Sequence, residues 1–532
     1  MANNETTNRA RKVFISFLGY SYYTPCIYTR KYKGKDNQEK TFESDEVNYI
    51  QIATLDFYQK FGKWTEDDKA YIVLTKGAEE NNWKTNDKLR HRDTGETSPG
   101  LCSCFETKKE KGEYNFEVTP ITNIPDGNNE EQLFKIFNTV FEKIFKDIKE
   151  GDETELYFDV THSFRSLPML ALVMANYVKF LRNVKVKSIT YGNYEARTKV
   201  GTKEIQTKSG LIKRDKYEAP IIDLTPLSQI QDWTFAAADM IKNGNSSQLY
   251  KLANGENYLV QMLRIKKSLN TIDRQAEQKI QAYITALHNM LLNMRLCRLP
   301  QVMDYTTMKE VNDAYKNAKA QLDSEKQYGV ISPLPPILKK VKDTFKNFDE
   351  NKDLNNGYLS AQWCCEHQLY QQAITILHEN LITDMCRRLG LKDRVYEQRH
   401  LAASFLRNRN YKDDDLKKVD NDATDIFKKN MNNKNVKSFI EDFQQVARWT
   451  HRKRNTFDHA TMSKSPVEDE KGYLIKDSKN NIVLFEISLT SKDIETLKSL
   501  IIPYVLHPTD ETKKEIAKVN HDEIEKYKNT VK

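Results

Sequence analysis

The sequence has no long apolar run. No stretch of about 18 consecutive apolar residues occurs in its 532 residues. Because the mean hydropathy is also low, at −0.73, we exclude an integral membrane protein. The first residues, MANNETTNRARK, contain no apolar segment, and we therefore expect no signal peptide. Seven irregularly spaced cysteines form no disulfide framework, which favours reduced thiols and a cytoplasmic location.

The low net charge and the absence of common nucleotide-binding and metal-binding motifs exclude further functions. The net charge is only +8, from 83 basic and 75 acidic residues, which excludes a protein that coats nucleic acid. The sequence lacks G-x-G-x-x-G, the P-loop pattern and any repeat of 20–50 residues. It also has no carboxylate cluster suited to two Mg²⁺ ions, and Cys102 and Cys104 lack a second pair for zinc, so we expect no metal site.

The first 225 residues alternate apolar strands with helices. Strands are predicted at 13–18, 71–74, 155–160 and 186–191. Helices are predicted at 46–61, 130–149 and 166–182, and a loop-rich insertion at 84–118. Strands without alternating polarity indicate a parallel sheet that is covered on both faces. We therefore predict a Rossmann-like α/β domain over residues 1–225.

Beyond residue 225 the strand pattern nearly stops. The predicted helices are a long candidate at 257–296, then, after a proline break at 332–336, segments at 359–389, 436–458 and 491–505. A hairpin is predicted at 472–487, and a solvated helix or tail from about residue 509. At 100–200 residues per domain, the length suggests three domains. We predict a helical connector over 226–340 and an all-α domain over 341–532.

Polar loops follow the four predicted strands. Since the carboxyl ends of parallel strands meet at one edge of a sheet, these loops predict a ligand crevice. Small hydroxyls before a helix start suit phosphate, and Arg165 can bind phosphate or stack on a base. Alternatively, Ser163 and Ser166 only cap a helix and His162 makes one structural hydrogen bond. The candidate ligand-binding residues are Gly19, Tyr20, Ser21, Thr75, Thr161, His162, Ser163, Phe164, Arg165, Ser166 and Asn193.

Residues 159–168, DVTHSFRSLP, resemble the D-x-T-H-G-F-R-x-x-P signature of CRISPR-associated CARF domains. Further segments fit the same family, namely 17–19, 74–83, 124–127 and 223–226. The resemblance implies a Rossmann-like dimer that binds cyclic oligoadenylate across its two-fold axis, with cyclic tetra-adenylate as the first guess. Ser163 stands where the family usually has Gly, and its Cβ narrows the approach of a ligand to the backbone.

A second candidate site lies at the carboxyl end of the predicted helix 436–458. Arg454, Asn455 and His459 resemble the R-N-x-x-x-H motif of HEPN ribonucleases, and residues 361–379 resemble the first helix of that family. The resemblance implies that Arg454 and His459 are catalytic, and that Asn455 and Glu379 orient them. Alternatives remain at this level: Arg394 with His400 and Arg452 with His459 have similar spacing, Glu379 fits a surface charge, and the whole motif fits a charged helix end.

These residue types suit RNA cleavage without a metal. The 2′-hydroxyl of RNA is the nucleophile, a histidine moves protons, and an arginine stabilises charge on the phosphoryl oxygens. In an ideal helix, residues five apart differ by about 140° in direction. Arg454 and His459 therefore converge more easily if two protomers each contribute a pair, which favours a homodimer or a higher oligomer.

Together, the resemblances imply a cyclic-oligoadenylate-activated endoribonuclease of type III CRISPR defence. It would cut single-stranded RNA to 2′,3′-cyclic phosphate and 5′-hydroxyl ends and need no cofactor for catalysis. Two other functions are considered: a CARF-type regulator that binds DNA through residues 228–340, and an interaction protein whose nuclease site has decayed. The intact Arg454, Asn455 and His459 argue against the last of these.

Overall fold

The computed structural model describes residues 9–531 with short gaps. The segments outside the description are 1–8, 34–38, 89–94, 96, 147, 149–152, 162–166, 183, 208–209, 256–272, 304, 325–332, 349, 351–352, 410, 412, 459–463, 470–472, 486 and 532. The chain forms two compact units, one ending at Asp232 and the other beginning at Trp233. In the described part, no helix is long and apolar enough to cross a membrane.

The first unit contains one mixed sheet, in which nine described strands take part. The strands are β1 (Arg11–Leu18), β2 (Cys26–Lys33), β3 (Glu39–Val47), β4 (Lys69–Thr75), β5 (Glu117–Ile124), β6 (Thr154–Asp159), β7 (Val184–Gly192), β8 (Thr198–Thr207) and β9 (Gly210–Asp223). Their order is β3-β2-β9-β7-β6-β1-β4-β5, with β8 paired to β9. The five strands from β7 to β5 are mutually parallel, which confirms the predicted Rossmann-like core.

Helices cover both faces of this parallel core. They are α1 (Ile50–Gly62), α2 (Lys76–Ala78), α3 (Leu101–Glu110), α4 (Glu130–Ile144) and α5 (Leu167–Leu181). Along β1, Val13 and Ile15 join the apolar cluster that contains α4 and α5 residues, whereas Phe14 and Leu18 join the cluster that contains α1 and α3 residues. A strand buried on both faces is apolar throughout, which explains why the sequence pattern predicts it.

Several elements differ from the sequence-based prediction. The segment 84–118, predicted as loop-rich, contains α3 and the start of β5. Strand β5 lies at the edge of the sheet and contains Pro120, which a central strand does not tolerate. Strands β2, β3, β8 and β9 were not predicted, because lysines and glutamates along them interrupt the apolar pattern.

The second unit is built mainly of helices, which confirms the predicted α/β plus all-α fold class. The boundary between the units falls inside α6 (Thr225–Asn243). The later helices are α7 (Ser247–Asn254), α8 (Asp273–Arg295), α9 (Leu299–Met303), α10 (Tyr305–Ser324), α11 (Leu334–Asp343), α12 (Asp353–Glu366), α13 (Tyr370–Leu389), α14 (Tyr396–Asn408), α15 (Asp413–Leu416), α16 (Asn421–Asn430), α17 (Lys434–Asp458), α18 (Ser491–Thr496), α19 (Ile502–Leu506) and α20 (Asp510–Val531). The division into a connector and a nuclease domain at residue 340 stays a prediction.

Short strands β10 (Ser465–Pro466) and β11 (Leu484–Phe485) form an antiparallel pair, and β10 lies before the hairpin predicted at 472–487. Within the predicted range, Lys476 and Ile482 form an antiparallel bridge. The turn of this hairpin runs from Asp477 to Asn481, where the Asp477 N–H donates to the Asn481 carbonyl at 2.9 Å. The hairpin packs a small apolar cluster against the end of α20. The segment from about residue 509 is thus a helix, one of the two forms predicted, and its buried Ile516, Asn520 and Ile524 show that one face packs within the protein.

Helix α20 is attached to α17 by buried charges. Lys453 is only 3% exposed, and its Nζ lies 2.7 Å from both Glu523 Oε1 on α20 and Asp493 Oδ1 on α18. Arg452 contacts Glu523 Oε2 at 3.1 Å and also donates to Asn520. These pairs hold the pKa of Glu523 and of Asp493 below the usual range, although burial opposes this. Two consecutive cations of α17 are thus neutralised within the protein.

Candidate functional site

The four predicted polar loops lie at one edge of the sheet. Because β7, β6, β1 and β4 are neighbouring parallel strands, their carboxyl ends point the same way. Gly19–Ser21 follows β1, Thr75 ends β4, Thr161 follows β6 and Asn193 follows β7. His162, Ser163, Phe164, Arg165 and Ser166 lie outside the described residues. The binding role of all these residues stays a prediction.

A buried carboxylate organises this edge. Asp159 is fully buried and accepts hydrogen bonds from Ser16 Oγ at 2.6 Å and from Thr161 Oγ1 at 2.5 Å. Burial raises the pKa of Asp159 to about 6, although these hydrogen bonds oppose the shift. Thr161 Oγ1 also accepts the Gly192 N–H at 2.8 Å, which ties the end of β6 to the end of β7. The Thr161 hydroxyl therefore already has structural partners.

The loop after β1 is held by two asparagine side chains. Asn82 Nδ2 donates to the carbonyls of Gly19 and Ser21 at 2.8 and 2.9 Å, and Asn81 Nδ2 donates to the Tyr20 carbonyl at 3.1 Å. These contacts fix the backbone of the loop, whereas the Tyr20 ring is 58% exposed. An exposed aromatic ring on a fixed loop is available to stack on a planar ligand.

Thr75 and Asn193 are also held by hydrogen bonds that involve the backbone. Thr75 Oγ1 accepts the Ala78 N–H at 3.3 Å and so caps the short helix α2. The Asn193 N–H donates to the Pro220 carbonyl on β9 at 2.9 Å. The sequence identified Asp159 only as part of a motif. It gave no sign of Ser16, Asn81 and Asn82, which hold this edge of the sheet but belong to no motif.

In the second unit, Glu379 joins two arginines from different helices. Arg454 Nη1 on α17 lies 2.9 Å from Glu379 Oε1 on α13, and Arg399 Nη2 on α14 lies 2.5 Å from Glu379 Oε2. Arg399 also donates to Thr383 Oγ1 at 2.9 Å and to the Asp393 carbonyl at 2.8 Å. The structure therefore brings Arg454 and Glu379 together. Sequence reasoning missed Arg399, which belongs to no motif.

The other members of the predicted catalytic set are less defined. Asn455 lies in α17 but its side chain is outside the description, as is the whole of His459. The competing pairs have other contacts: His400 Nδ1 lies 3.5 Å from Asp415 Oδ1, and Arg452 is 7% exposed and paired with α20. Among the described arginines with motif spacing, Arg454 is the one paired with Glu379.

Two histidines pack beside this cluster. The rings of His378 on α13 and His451 on α17 have centroids 5.7 Å apart, and His378 Nδ1 lies 3.0 Å from Thr450 Oγ1. Burial, together with neighbouring positive charges, lowers the pKa of His378 well below its usual range and that of His451 to about 3. Both imidazoles are thus neutral near pH 7, and they do not compete with Arg454 for the Glu379 carboxylate.

The fold defines a Rossmann-like α/β domain followed in the same chain by a helical unit. Residues 13–195 match the family model of the CARF domain of the CRISPR system endoribonuclease Csx1. The amino-terminal domain is therefore a CARF domain, and the resemblance to CRISPR-associated CARF proteins predicted from residues 159–168 is confirmed.

Two individual proteins are similar to the chain. A CRISPR-associated protein of Methanocaldococcus jannaschii is 23% identical over 283 residues, which cover 53% of this chain and 36% of that protein. The match thus spans about a third of the length of that relative. Enterococcus italicus Csm6 bound to cyclic hexa-2′-fluoro-hexa-dAMP aligns with a TM-score of 0.35 and 10% identity, over 97% of this chain and 99% of that chain.

Proposed function

We propose that this chain is a cyclic-oligoadenylate-activated, metal-independent endoribonuclease of type III CRISPR antiviral defence. The observation that carries the proposal is the 2.9 Å pair of Arg454 with Glu379, in a chain that begins with a Csx1-type CARF domain. In this proposal, residues 1–225 sense the activator, 226–340 connect, and 341–532 form a HEPN nuclease. The protein acts on single-stranded RNA in the cytoplasm.

The proposed chemistry uses the nucleophile of the substrate. The 2′-hydroxyl attacks the adjacent phosphorus, the 5′-oxygen leaves with a proton, and the products carry a 2′,3′-cyclic phosphate and a 5′-hydroxyl. His459 moves the protons and Asn455 orients the pair. Arg454 stabilises the charge on the phosphoryl oxygens. The Arg454 side chain is 32% exposed, so a substrate can reach it.

Glu379 sets the position of Arg454 in this mechanism. Arg399 holds the far oxygen of the Glu379 carboxylate, so that the near oxygen stays directed at Arg454 Nη1. A guanidinium held by one nitrogen retains N–H donors for phosphate. The geometry supports a positioning role for Glu379, in place of the surface charge that is its alternative.

The activator binds in the crevice at the carboxyl edge of the sheet. The loops that follow β1, β4, β6 and β7 surround it; Asn82 holds the backbone of the first loop, Thr75 caps α2, and Tyr20 is exposed. Cyclic tetra-adenylate is the first activator to test, and rings of three and six adenylates are the alternatives.

A second copy of the chain completes the assembly. Helix α5 exposes Met169, Val173, Tyr177 and Phe180 by 73%, 59%, 42% and 87%, and their spacing of four, four and three residues places them on one face. A monomer rarely leaves such an apolar stripe in water. We assign this face to a homodimer, which brings two activator half-sites together and allows higher oligomers.

A cleavage assay tests the proposal. Full-length protein is mixed with fluorescently labelled single-stranded RNA in EDTA, with cyclic tri-, tetra- or hexa-adenylate added separately. We expect one ring size to start cleavage, with 2′,3′-cyclic phosphate ends in the product. RNA that stays intact with all three rings, together with activator-dependent binding of duplex DNA, would favour the DNA-binding regulator.

A further inference from the structure

A cavity of about 640 Å³ adjoins the Arg454–Glu379 pair within the second unit. This volume lies in the range of roughly 300–1,000 Å³ that is usual for small-molecule sites. Glu379 on α13 lines the cavity and is bound to Arg454 on α17. Arg454 also acts electrostatically on Cys297, which lines the same cavity. The cavity therefore lies beside the proposed catalytic arginine.

The walls of the cavity differ in chemistry. Its apolar lining residues are Leu299, Pro300 and Met303, from α9. Its basic lining residues are Arg387, Arg394 and Arg399, from α13, the following segment and α14. A ligand that suits both kinds of residue has a flat apolar part and a negative part. A nucleotide has this composition, with its base on the apolar wall and its phosphate on the arginines.

The contacts of the three arginines show which of them is available. Arg387 Nε pairs with Asp393 Oδ2 at 2.8 Å, and Arg399 is held by Glu379, Thr383 and the Asp393 carbonyl. Arg394 is exposed and forms no hydrogen bond or ion pair with the residues that the structure describes. Among the lining residues, three arginines exceed the two carboxylates of Glu379 and Asp393 by one positive charge, and Arg454, which shares Glu379, adds to the excess. Of the lining arginines, Arg394 is the one that pairs with neither carboxylate.

We propose that this cavity binds one nucleotide of the RNA substrate, next to the cleaved phosphate, and that Arg394 binds its phosphate group. The proposal rests on the proposed nuclease function and adds a substrate subsite to it. Single-stranded RNA is suited to such a site because an unpaired base can leave the strand and insert into a pocket. The fixed arginines Arg387 and Arg399 shape the wall, whereas Arg394 is available to form a bidentate contact.

The test uses activated full-length protein and labelled single-stranded RNA. Because a charge-assisted contact to phosphate is lost, we expect Arg394→Ala to raise KM about tenfold and to leave kcat within about twofold. The slope of log KM against log salt should fall by about one. The KM of Arg394→Lys should lie between those of the wild type and Arg394→Ala, because lysine keeps the positive charge but cannot form a bidentate contact with phosphate. An unchanged KM in Arg394→Ala would overturn the subsite.

Lys429→Ala is the matched control. Lys429 is exposed on α16, lies outside the cavity and has no partner in the described part of the chain, so its loss removes one cation from the same unit. We expect its KM to equal that of the wild type. An equal rise in both variants would mean that only net charge matters, and would overturn the assignment to Arg394.

The base is tested with abasic RNA. Two RNAs are used, one without the base immediately 5′ of the cleaved bond and one without the base immediately 3′ of it. We expect the KM of the wild-type enzyme to be about tenfold higher for one of them, because a stacked base contributes on that scale. An unchanged KM at both positions would mean that the cavity holds no base.

A measurement of RNA binding distinguishes failure of the proposed subsite from failure of the proposed nuclease function. If no activator starts cleavage, fluorescence anisotropy with a labelled 2′-O-methyl RNA 12-mer measures the subsite directly, since this probe needs no chemistry. A Kd that is about tenfold weaker in Arg394→Ala than in the wild type supports the subsite, and equal Kd values overturn it.

Discussion

Glu379 and Arg454 form an ion pair of 2.9 Å that joins helix α13 to helix α17. The other carboxylate oxygen of Glu379 is bound by Arg399, so the position of this side chain is fixed from two sides. A catalytic arginine must be placed within a fraction of an ångström to act on a phosphoryl group, and this pair supplies the placement.

Glu379→Gln removes the charge and keeps the shape of the side chain. We expect kcat for RNA cleavage to fall about 10- to 100-fold with a smaller change in KM, because Arg454 loses its fixed orientation. Steady-state cleavage of labelled RNA measures both constants. Glu441→Gln, at an exposed position of the same helix α17, is the control and should behave as wild type. A wild-type kcat in Glu379→Gln would mean that the pair is only structural.

Arg454→Ala and His459→Ala each remove a group that the proposed chemistry requires. We expect cleavage to fall at least about 1,000-fold in either variant, since acid–base catalysis and charge stabilisation each contribute on the order of 10²–10⁴. Binding of labelled cyclic oligoadenylate, measured by anisotropy, should stay unchanged. Wild-type turnover in either variant would show that the catalytic residues lie elsewhere.

Asp159 should make the stability of the sheet depend on pH. Its pKa is about 6 in the folded protein and 3.8 when exposed, so the folded state binds more protons between these values. The contribution of Asp159 to stability should therefore be full below about pH 3.8 and be lost, by roughly 3 kcal/mol in all, as the pH rises through about 6.

Hydrogen exchange of β1 and β6 peptides, corrected for intrinsic rates, measures this change. Asp159→Asn cannot ionise, and the difference between wild type and variant isolates the carboxyl from other titrating groups. Peptides whose protection changes equally with pH in both proteins would contradict the expectation.

Gly357→Ala should destabilise the second unit. Gly357 on α12 approaches α13 so closely that a Cβ would overlap the side-chain amide of Asn380. Overpacking costs about 1–3 kcal/mol, and the better helix propensity of Ala returns only about 0.5–1 kcal/mol. We therefore expect a lower Tm of the full chain. Because Asn380 follows Glu379, kcat should fall as well.

Gly201→Ala is the control for this substitution. A Cβ at Gly201 on β8 meets no atom within 4 Å, so the variant should unfold like the wild type. A Tm for Gly357→Ala that equals that of Gly201→Ala would contradict the close approach of α12 and α13.

The parallel core could be predicted because burial on both faces leaves a clear pattern. Residues 13–18 of strand β1 are VFISFL, and the apolar residues at odd positions enter one apolar cluster while those at even positions enter the other. The antiparallel strands could not be predicted, since residues such as Lys199 and Glu204 on β8 face water and form exposed ion pairs across the ladder. Alternating charge does not distinguish such strands from loops.

The candidate catalytic pair could be predicted only in part. The spacing of Arg454, Asn455 and His459 carries the motif, and Glu379 follows from the resemblance of its helix. Arg399 could not be found, because its role depends on the packing of α14 against α13, which no local pattern encodes. For the same reason the sequence could not distinguish Arg452, which pairs with α20, from Arg454, which pairs with α13.

The buried contacts of Lys453 determine how α17 is rotated about its own axis. Consecutive residues of a helix point about 100° apart, so a helix that directs Lys453 to Glu523 and Asp493 directs Arg454 to a different neighbour. The angular setting of the candidate catalytic arginine is therefore fixed by residues of α18 and α20. The basic run 452–454 offers a ligand one cation rather than three, and a charge reversal at Glu523 would turn that cation away from its target.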